Sequence, residues 1–437
     1  QQLPKLPMTK SSKTNRRCFL KTSVLAAVSV PTIIPSSALG QADKPAPSNR
    51  ITVGLIGCGG RGVGVMNSFL NESRAQVIAT CDPYESHYRG QGKGRALGRK
   101  PAAEMVGKKY GSKPCNTYVD YRKLCARDDL DVVIVATPDH WHAIQTVEAV
   151  NSGKDVYCEK PLTHNVHESI EVMNAVKKNK AVLQTGSMQR SSREFRVACE
   201  LVRNGIIGKV ERTAVNIGNA GIPCDLATEK MEPGLDWEKW IGPGPMRGYS
   251  SVLSPRGVHG HFPNWRNYKE YGGGMVCDWG AHMIDIVHWG MGMDDSGPVA
   301  TIPAENPKAL KGAQLVYDGN VPLMHGAGMG SSFYGTEGRV ECHRGRIGLW
   351  LGEKFIAGRT GGDRNVNLGK ELDKLESEFL KDAKVKLYRS SSHIPDFLNS
   401  MRTRKKPCTH EIIGARTSIA CHLLNHCLLY TSPSPRD

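Results

Sequence analysis

The chain has 437 residues, 39% of them hydrophobic and 23% charged, with a formal charge of +16. That profile excludes a disordered, collagen-like or coiled-coil chain and leaves room for two or three domains. No run of roughly 18 apolar residues occurs, so a membrane-spanning helix is excluded. Lys5, Lys10, Lys13, Arg16, Arg17 and Lys21 fall in the first 40 residues, which hold no acid, so the excess beyond Gly40 is +10. It is scattered apart from residues 89–100, without an aromatic-interleaved basic stripe or zinc-finger spacing, and nucleic-acid binding is not expected.

In chain order, Asn15-Arg16-Arg17-Cys18-Phe19-Leu20-Lys21 precedes an apolar run of 13 residues (22–34), then Ala38-Leu39-Gly40. Residues 1–40 resemble a twin-arginine export signal, with Asn15 where Ser or Thr is usual. The alternative is a core helix after a chance basic pair. The signal implies a periplasmic protein exported folded, with its cofactor already bound. Met8 reads as a natural start. Residues 430–437 read as a non-native tail, which leaves native C-terminal residues missing. Twelve of the 13 cysteines lie beyond the leader and form no C-x-x-C pair, which suits small core hydrophobes.

After a linker (41–50), residues 51–56 form a β-branched apolar run ending in Gly57-Cys58-Gly59-Gly60-Arg61-Gly62, with a helical pattern over 63–70. This is G-x-G-x-x-G between strand and helix. Gly57 permits the tight turn, Gly59 lets backbone approach a pyrophosphate, and Gly62 lets helix and strand pack closely. A second strand, 76–81, ends at Asp82, 20 residues past Gly62, where an acid for the ribose hydroxyls falls. Asp82 favours NAD over NADP, because a carboxylate repels a 2′-phosphate. Arg89, Lys93 and Arg95 stand nearby as the contrary signal. The alternative for the loop is a glycine-rich turn without a ligand, and for Asp82 a solvent-facing acid.

Strands and helices then alternate over 131–136, 140–151, 155–158, 166–178 and 181–184. The strands are continuous apolar runs, as expected when both faces of a parallel sheet are covered. Residues 51–187 thus read as a doubly wound α/β domain of Rossmann type. From residue 188 to 429 the pattern becomes α+β: a helix at 193–204, a strand at 210–217, a Gly/Pro-rich excursion over 218–274, a helix at 277–289, and strand-like runs at 313–317 and 339–351. The excursion reads as a substrate or subunit loop.

Glu159-Lys160-Pro161, taken with the glycine loop, Thr137-Pro138-x-x-x-His142 and Asp278-x-x-x-His282, resembles the Gfo/Idh/MocA oxidoreductases from about Arg50 to Leu424. Exported bacterial members are especially similar, through segments 235–243 and 333–338. The resemblance implies an open, largely antiparallel sheet in the second domain and a homo-oligomer, dimer or tetramer. It places the E-K-P lysine at the nicotinamide and the D-x-x-x-H pair on the substrate. Independently, Lys160 follows an apolar strand at its carboxyl end, where open α/β sheets bind ligands. Asp278 and His282, four apart on one expected helix, share a face.

The expected chemistry is alcohol oxidation. His282 takes the hydroxyl proton, Asp278 orients and supports its imidazolium, and Lys160 stabilises developing alkoxide charge. The alternative is that Asp278 caps a helix and His282 is a core histidine. Glu159, Thr137, Pro138, His140, Trp141 and His142 are expected at the cofactor, beside Gly60 and Arg61; Asp139 reads alternatively as a helix cap. Gln189 is assigned to the cofactor as well. Arg190, Trp265, Arg266 and Tyr271 are candidate sugar contacts, with surface packing as their alternative. Asp278, His282, Asp285 and His288 could suggest a metal, but His288 points off the shared face and no zinc spacing is present, so none is expected.

Three functions remain. The first is a nicotinamide-dependent dehydrogenase, or aldose oxidoreductase with a second sugar as acceptor, acting on a sugar, cyclitol or glycoside. The second is a glycosidase that oxidises and re-reduces its sugar through bound NAD. The resemblance implies that this branch departs at the E-K-P lysine, which is intact here. The third is a non-catalytic binding protein of the same fold.

Overall fold

The computed structural model describes residue 46 and residues 49–89, 94–254, 264–306, 308–326, 328–361 and 365–430. The expected export signal, nearly all of the linker and most of the expected tail lie outside the described residues. Twelve consecutive elements build the first domain: β1 (Ile51–Ile56), α1 (Gly60–Leu70), β2 (Ala75–Cys81), β3 (His87–Arg89), β4 (Arg95–Leu97), α2 (Arg99–Tyr110), β5 (Asn116–Tyr118), α3 (Tyr121–Cys125), β6 (Val132–Val135), α4 (Asp139–Asn151), β7 (Asp155–Cys158) and α5 (Val166–Asn179). Strand β8 (Leu183–Thr185) completes a six-stranded parallel sheet in the order β5-β2-β1-β6-β7-β8. Strands β3 and β4 pair separately as an antiparallel ribbon.

Every residue of β6 and β7 is buried, the consequence of helices on both faces. Val53, Leu55 and Ile134 pack with α1 on one side, and Ile56, Val133 and Val135 with α4 and α5 on the other. The chain reverses its winding between β1 and β6, which pair directly. A crevice therefore opens at their carboxyl ends, the usual ligand position in such sheets.

The second domain contains α6 (Arg193–Arg203), β9 (Val210–Val215), α7 (Trp237–Ile241), α8 (Gly274–Asp278), α9 (Gly280–Met291), β10 (Ala300–Ile302), β11 (Gln314–Tyr317), β12 (Val321–His325), β13 (Ser331–Gly335), β14 (Gly338–His343), β15 (Arg346–Leu351), β16 (Lys354–Arg359) and α10 (Leu368–Phe379). Its eight strands run β10-β11-β12-β9-β13-β14-β15-β16, antiparallel except where β9 meets β12. Helices α6 and α9 share one core with this sheet.

The chain then returns to the first domain. Helix α11 (His393–Thr403) places Ile394, Phe397 and Leu398 in the same core as Val53 and Phe69. Helix α12 (Glu411–Tyr430) puts Ala415 in the core beneath α4 and α5, and Ala420 and Leu424 in the second domain's core. A helix apolar on all sides is one packed on all sides. No helix of the described residues is long and apolar enough to cross a membrane.

The helix expected over 277–289 is divided. Helix α8 ends at Asp278 and α9 begins at Gly280, with Trp279 between them. Gly280 lies so close to Cys421 that a Cβ there would stand 3.0 Å from its Sγ, so the chain turns where no side chain is needed. The described parts of the excursion, 218–254 and 264–274, are tied down rather than loose. Trp237, Trp240, Tyr249, Leu253, Trp265 and Tyr271 form an apolar cluster with Tyr84 of the first domain, and Trp237 stacks on Trp240 at 4.8 Å.

Arg190 does not reach sugar or cofactor. It is 3% exposed and donates to both oxygens of Asp285 at 3.0 Å and to Asp294 at 2.6 and 2.9 Å, with its guanidinium over Trp289. A long cation one residue from the cavity is drawn to the buried carboxylate that needs it. His288 is likewise engaged, its Nε2 2.7 Å from the hydroxyl of Tyr317. Removing the guanidinium would leave Asp285, with no exposed surface, short of its main partner. Arg190→Ala is therefore expected to lose about 3–5 kcal/mol of stability in denaturant titrations; a loss below 1 kcal/mol would show the pair to be marginal.

Candidate active site

A cavity of about 1000 Å³ opens over the carboxyl ends of β1, β6 and β7 and is roofed by the second domain. Its floor is the glycine loop. Gly57 has φ +91°, and a Cβ there would stand 2.5 Å from the Ala136 carbonyl oxygen. Gly62 is constrained harder, since a Cβ would lie 1.8 Å from the Gly57 oxygen. Gly59 faces open space, and Gly60 and Arg61 begin α1, whose first amides lack helical acceptors. An anionic group can therefore approach backbone N–H groups here.

Asp82 lines the same cavity just past β2. Its Oδ2 accepts from the Cys58 amide at 2.6 Å and its Oδ1 from the Tyr84 amide at 2.7 Å. Burial nevertheless pushes its pKa up to about 6. Each oxygen retains a lone pair, so the open loop and this acid fit the phosphates and ribose of a dinucleotide. Of the cations weighed as a 2′-phosphate site, Arg95 lies outside the cavity, while Lys93 and the Arg89 side chain are outside the described residues.

Lys160 and Asp278 meet across the two domains. Lys160 Nζ donates to Asp278 Oδ1 and to its backbone carbonyl, both at 2.7 Å, and Arg266 Nε donates to the same Oδ1 at 3.1 Å. Burial raises the Asp278 carboxyl, but Lys160 and Arg266 outweigh it and hold the group below the ordinary range. His282 faces the cavity one turn into α9. Its Nδ1 is buried and has no hydrogen-bond partner among the described residues. Burial first, then Lys160, Arg344 and Arg61, drive its pKa well down, so the ring is neutral at pH 7.

The expected support of His282 by Asp278 is thus corrected: the acid serves Lys160 and Arg266. Asp278 closes α8 whereas His282 belongs to α9, so the two do not share one helix.

Thr137, Pro138, Trp141, His142, Glu159, Gln189, Trp265 and Arg266 also line the cavity. Several act on the frame. His142 lies between the Pro161 and Thr137 carbonyls, at 2.6 and 2.9 Å, tying the turn that carries Lys160 to the turn after β6. Glu159 accepts from Arg61 Nε at 2.7 Å and locks the glycine loop to the end of β7. Gln189 receives Arg344 at 3.3 Å. Trp141 donates to the Trp240 carbonyl at 2.8 Å and holds the excursion against α4.

His140 and Tyr271, expected at cofactor and sugar, lie outside the lining. The His140 ring nitrogens sit 3.2 Å from the Tyr271 and Trp240 carbonyls, and the fully buried Tyr271 donates to the Pro245 carbonyl. His140 instead packs against the rings of Trp240 and Tyr271, 5.6 and 5.2 Å away.

The cavity also includes residues to which the sequence assigned no site role: Trp279, Arg344, Glu194 and His393. Arg344 stacks over Trp279, 4.8 Å from its ring, at the β14–β15 turn. No local motif marks them, because Trp279, Arg344 and Glu194 reach the site through the second domain's fold and His393 through the returning helix α11. Trp279 alone had a signal, lying inside Asp278-x-x-x-His282.

A glycosyl hydrolase family 109 protein of Shewanella baltica is 27% identical over 213 residues, 45% of this chain and 44% of that protein. An alpha-N-acetylgalactosaminidase of Shewanella oneidensis is 28% identical over 180 residues, 40% of this chain and 37% of that protein. The chain therefore matches less than half the length of these curated relatives. The WlbA dehydrogenase of Bordetella pertussis, solved with NADH and UDP-GlcNAcA, has a TM-score of 0.56 at 14% identity, covering 88% of this chain and 97% of that chain. That likeness is one of fold.

An ionised carboxylate accepts hydroxyl hydrogen bonds more strongly than a neutral one, so if Asp82 holds the ribose, dinucleotide affinity is expected to fall as pH drops through about 6, where Asp82 protonates. Fluorescence titrations from pH 7.5 to 5 check this; the same fall in Asp82→Asn would assign it to another group. The family models for the oxidoreductase NAD-binding Rossmann fold and the oxidoreductase C-terminal alpha/beta domain match residues 51–187 and 219–317. The chain belongs to the Gfo/Idh/MocA oxidoreductase family.

Proposed function

We propose that this protein oxidises a hydroxyl of a sugar, cyclitol or glycoside with a nicotinamide dinucleotide, NAD in preference to NADP. The observation that carries the reading is the meeting of Lys160 and Asp278 at 2.7 Å beside His282, in the cavity above the glycine loop. Gly57 to Gly62 and Asp82 would hold the dinucleotide. When bound, its nicotinamide supplies the hydride acceptor.

The chain's own groups supply the rest. Asp278 fixes Lys160 Nζ, and Lys160 hydrogen-bonds the substrate oxygen as negative charge develops there. His282 enters neutral and lines the cavity, so its ring can accept the hydroxyl proton. The positive field of Lys160, Arg344 and Arg61 that disfavours imidazolium also lowers the cost of an alkoxide at that oxygen. We assign Asp278 to Lys160 rather than to His282 on this geometry. Export with the dinucleotide retained, and assembly as a dimer or tetramer, complete the proposal; with retained cofactor, a second sugar would accept the hydride.

The curated relatives favour a second reading, a glycosidase that oxidises its sugar transiently and re-reduces it. The two separate cleanly. Net oxidation produces reduced nicotinamide absorbance with free sugars or releases a reduced acceptor sugar, whereas the glycosidase releases p-nitrophenol from p-nitrophenyl α-N-acetylgalactosaminide with no net redox.

In either assay Lys160→Ala and His282→Ala should each lower kcat/KM by about 10²–10⁴-fold while NAD stays bound. Asp278→Asn should resemble Lys160→Ala, and the double variant should lose no more than the worse single variant, because the two act as one unit. Wild-type turnover in Lys160→Ala or His282→Ala would defeat the mechanism.

A further inference from the structure

Asp139 is a buried acid that neither the fold nor the mechanism above employs. It occupies the first position of α4, directly after the N-cap residue Pro138, and makes no cap bond. Helix capping, the alternative to a place beside the nicotinamide ribose, therefore has no cap bond in its support. Its side chain lines the cavity at 2% exposure, and its Oδ2 has no hydrogen-bond partner among the described residues. Leaving a buried polar group unmet costs stability, so folding alone does not account for an acid here.

The groups that act on it come from several elements. Lys160 lies beyond β7, Asp278 at the end of α8, Arg266 in the preceding turn, Glu168 in the first turn of α5, and the Cys158 thiol at the end of β7. Burial, and then Asp278, push the Asp139 carboxyl up to about 8, against the pull of Arg266 and Lys160. At neutral pH it thus carries a proton and presents both a donor and an acceptor to the cavity.

We propose that Asp139 is a substrate-binding residue that receives a second oxygen of the carbohydrate, besides the oxygen held by Lys160. This inference rests on the carbohydrate reading above and deepens it. Lys160 and Asp139 both line the cavity and act on one another electrostatically, so a ligand that reaches both offers each an oxygen, as a polyhydroxylated ring does. The neutral carboxyl donates to its oxygen. Once ionised, it could only accept, and its charge would repel that of Asp278.

The test uses the NAD-loaded protein, titrated calorimetrically with D-glucose, D-galactose, N-acetyl-D-galactosamine and myo-inositol, a readout that needs no turnover. For whichever sugar binds, wild-type affinity should fall as pH rises past about 8. Asp139→Leu should weaken binding by about tenfold or more at pH 7, and Asp139→Asn should abolish the alkaline fall. Stability should move the other way. The folded pKa is raised above the unfolded value, so Asp139 costs increasing stability as pH rises through about 8, and Asp139→Asn should raise Tm at pH 9. A purely structural residue would lower Tm on substitution and leave the pH profile of binding intact. Wild-type affinity in Asp139→Leu, or an alkaline fall that persists in Asp139→Asn, overturns the inference alone. Failure of the wild-type protein to bind any of the four sugars overturns the carbohydrate reading and this inference with it.

Discussion

The contact between Lys160 and Asp278 is the constraint on which the site depends. One partner is delivered by the turn after β7 in the parallel sheet, the other by the end of α8 in the second domain. Neither is more than about one-sixth exposed at the side chain, so the pair is formed largely out of water, where its attraction is strong. Arg266 adds a third charge to the same oxygen and comes from the long excursion. The pair therefore reports that the turn after β7 and a stretch of the second domain 118 residues away have closed on one cavity.

Much of the surrounding polar architecture maintains that closure. His142 fixes the turn holding Lys160 by bridging two carbonyls, and Glu159 joins the lysine's strand end to the glycine loop through Arg61. The aromatic cluster around Trp240 anchors the excursion against the first turn of α4. Helix α12 bridges the two cores from behind. Rigid support of this kind is what positions reacting groups, because misplacement by an ångström is costly to catalysis.

Electrostatically the cavity holds groups in different protonation states within a short span. Asp278 is kept ionised by two cations, His282 is kept neutral by burial and three cations, and Asp139 is kept protonated by burial beside Asp278. Such divergence among neighbouring titratable groups is common where sites handle protons.

The sequence by itself determined the nucleotide domain almost completely. Alternation of buried apolar strands with helices, the glycine spacing and the acid after β2 are all local patterns, each dictated by backbone geometry within a few residues. It also singled out Lys160, Asp278 and His282, through motif order and resemblance. What it could not determine was who pairs with whom. Periodicity put Asp278 beneath His282, but a turn at Trp279 and the arrival of Lys160 from 118 residues away reassigned the acid. Arg190 and Tyr271 stood among the candidates and were drawn into the interior; Arg344 and His393 carried no signal and were brought to the cavity. Partners of a buried charge are chosen by proximity in space, and in this chain that proximity arises only when two sheets, an excursion and a returning helix pack together.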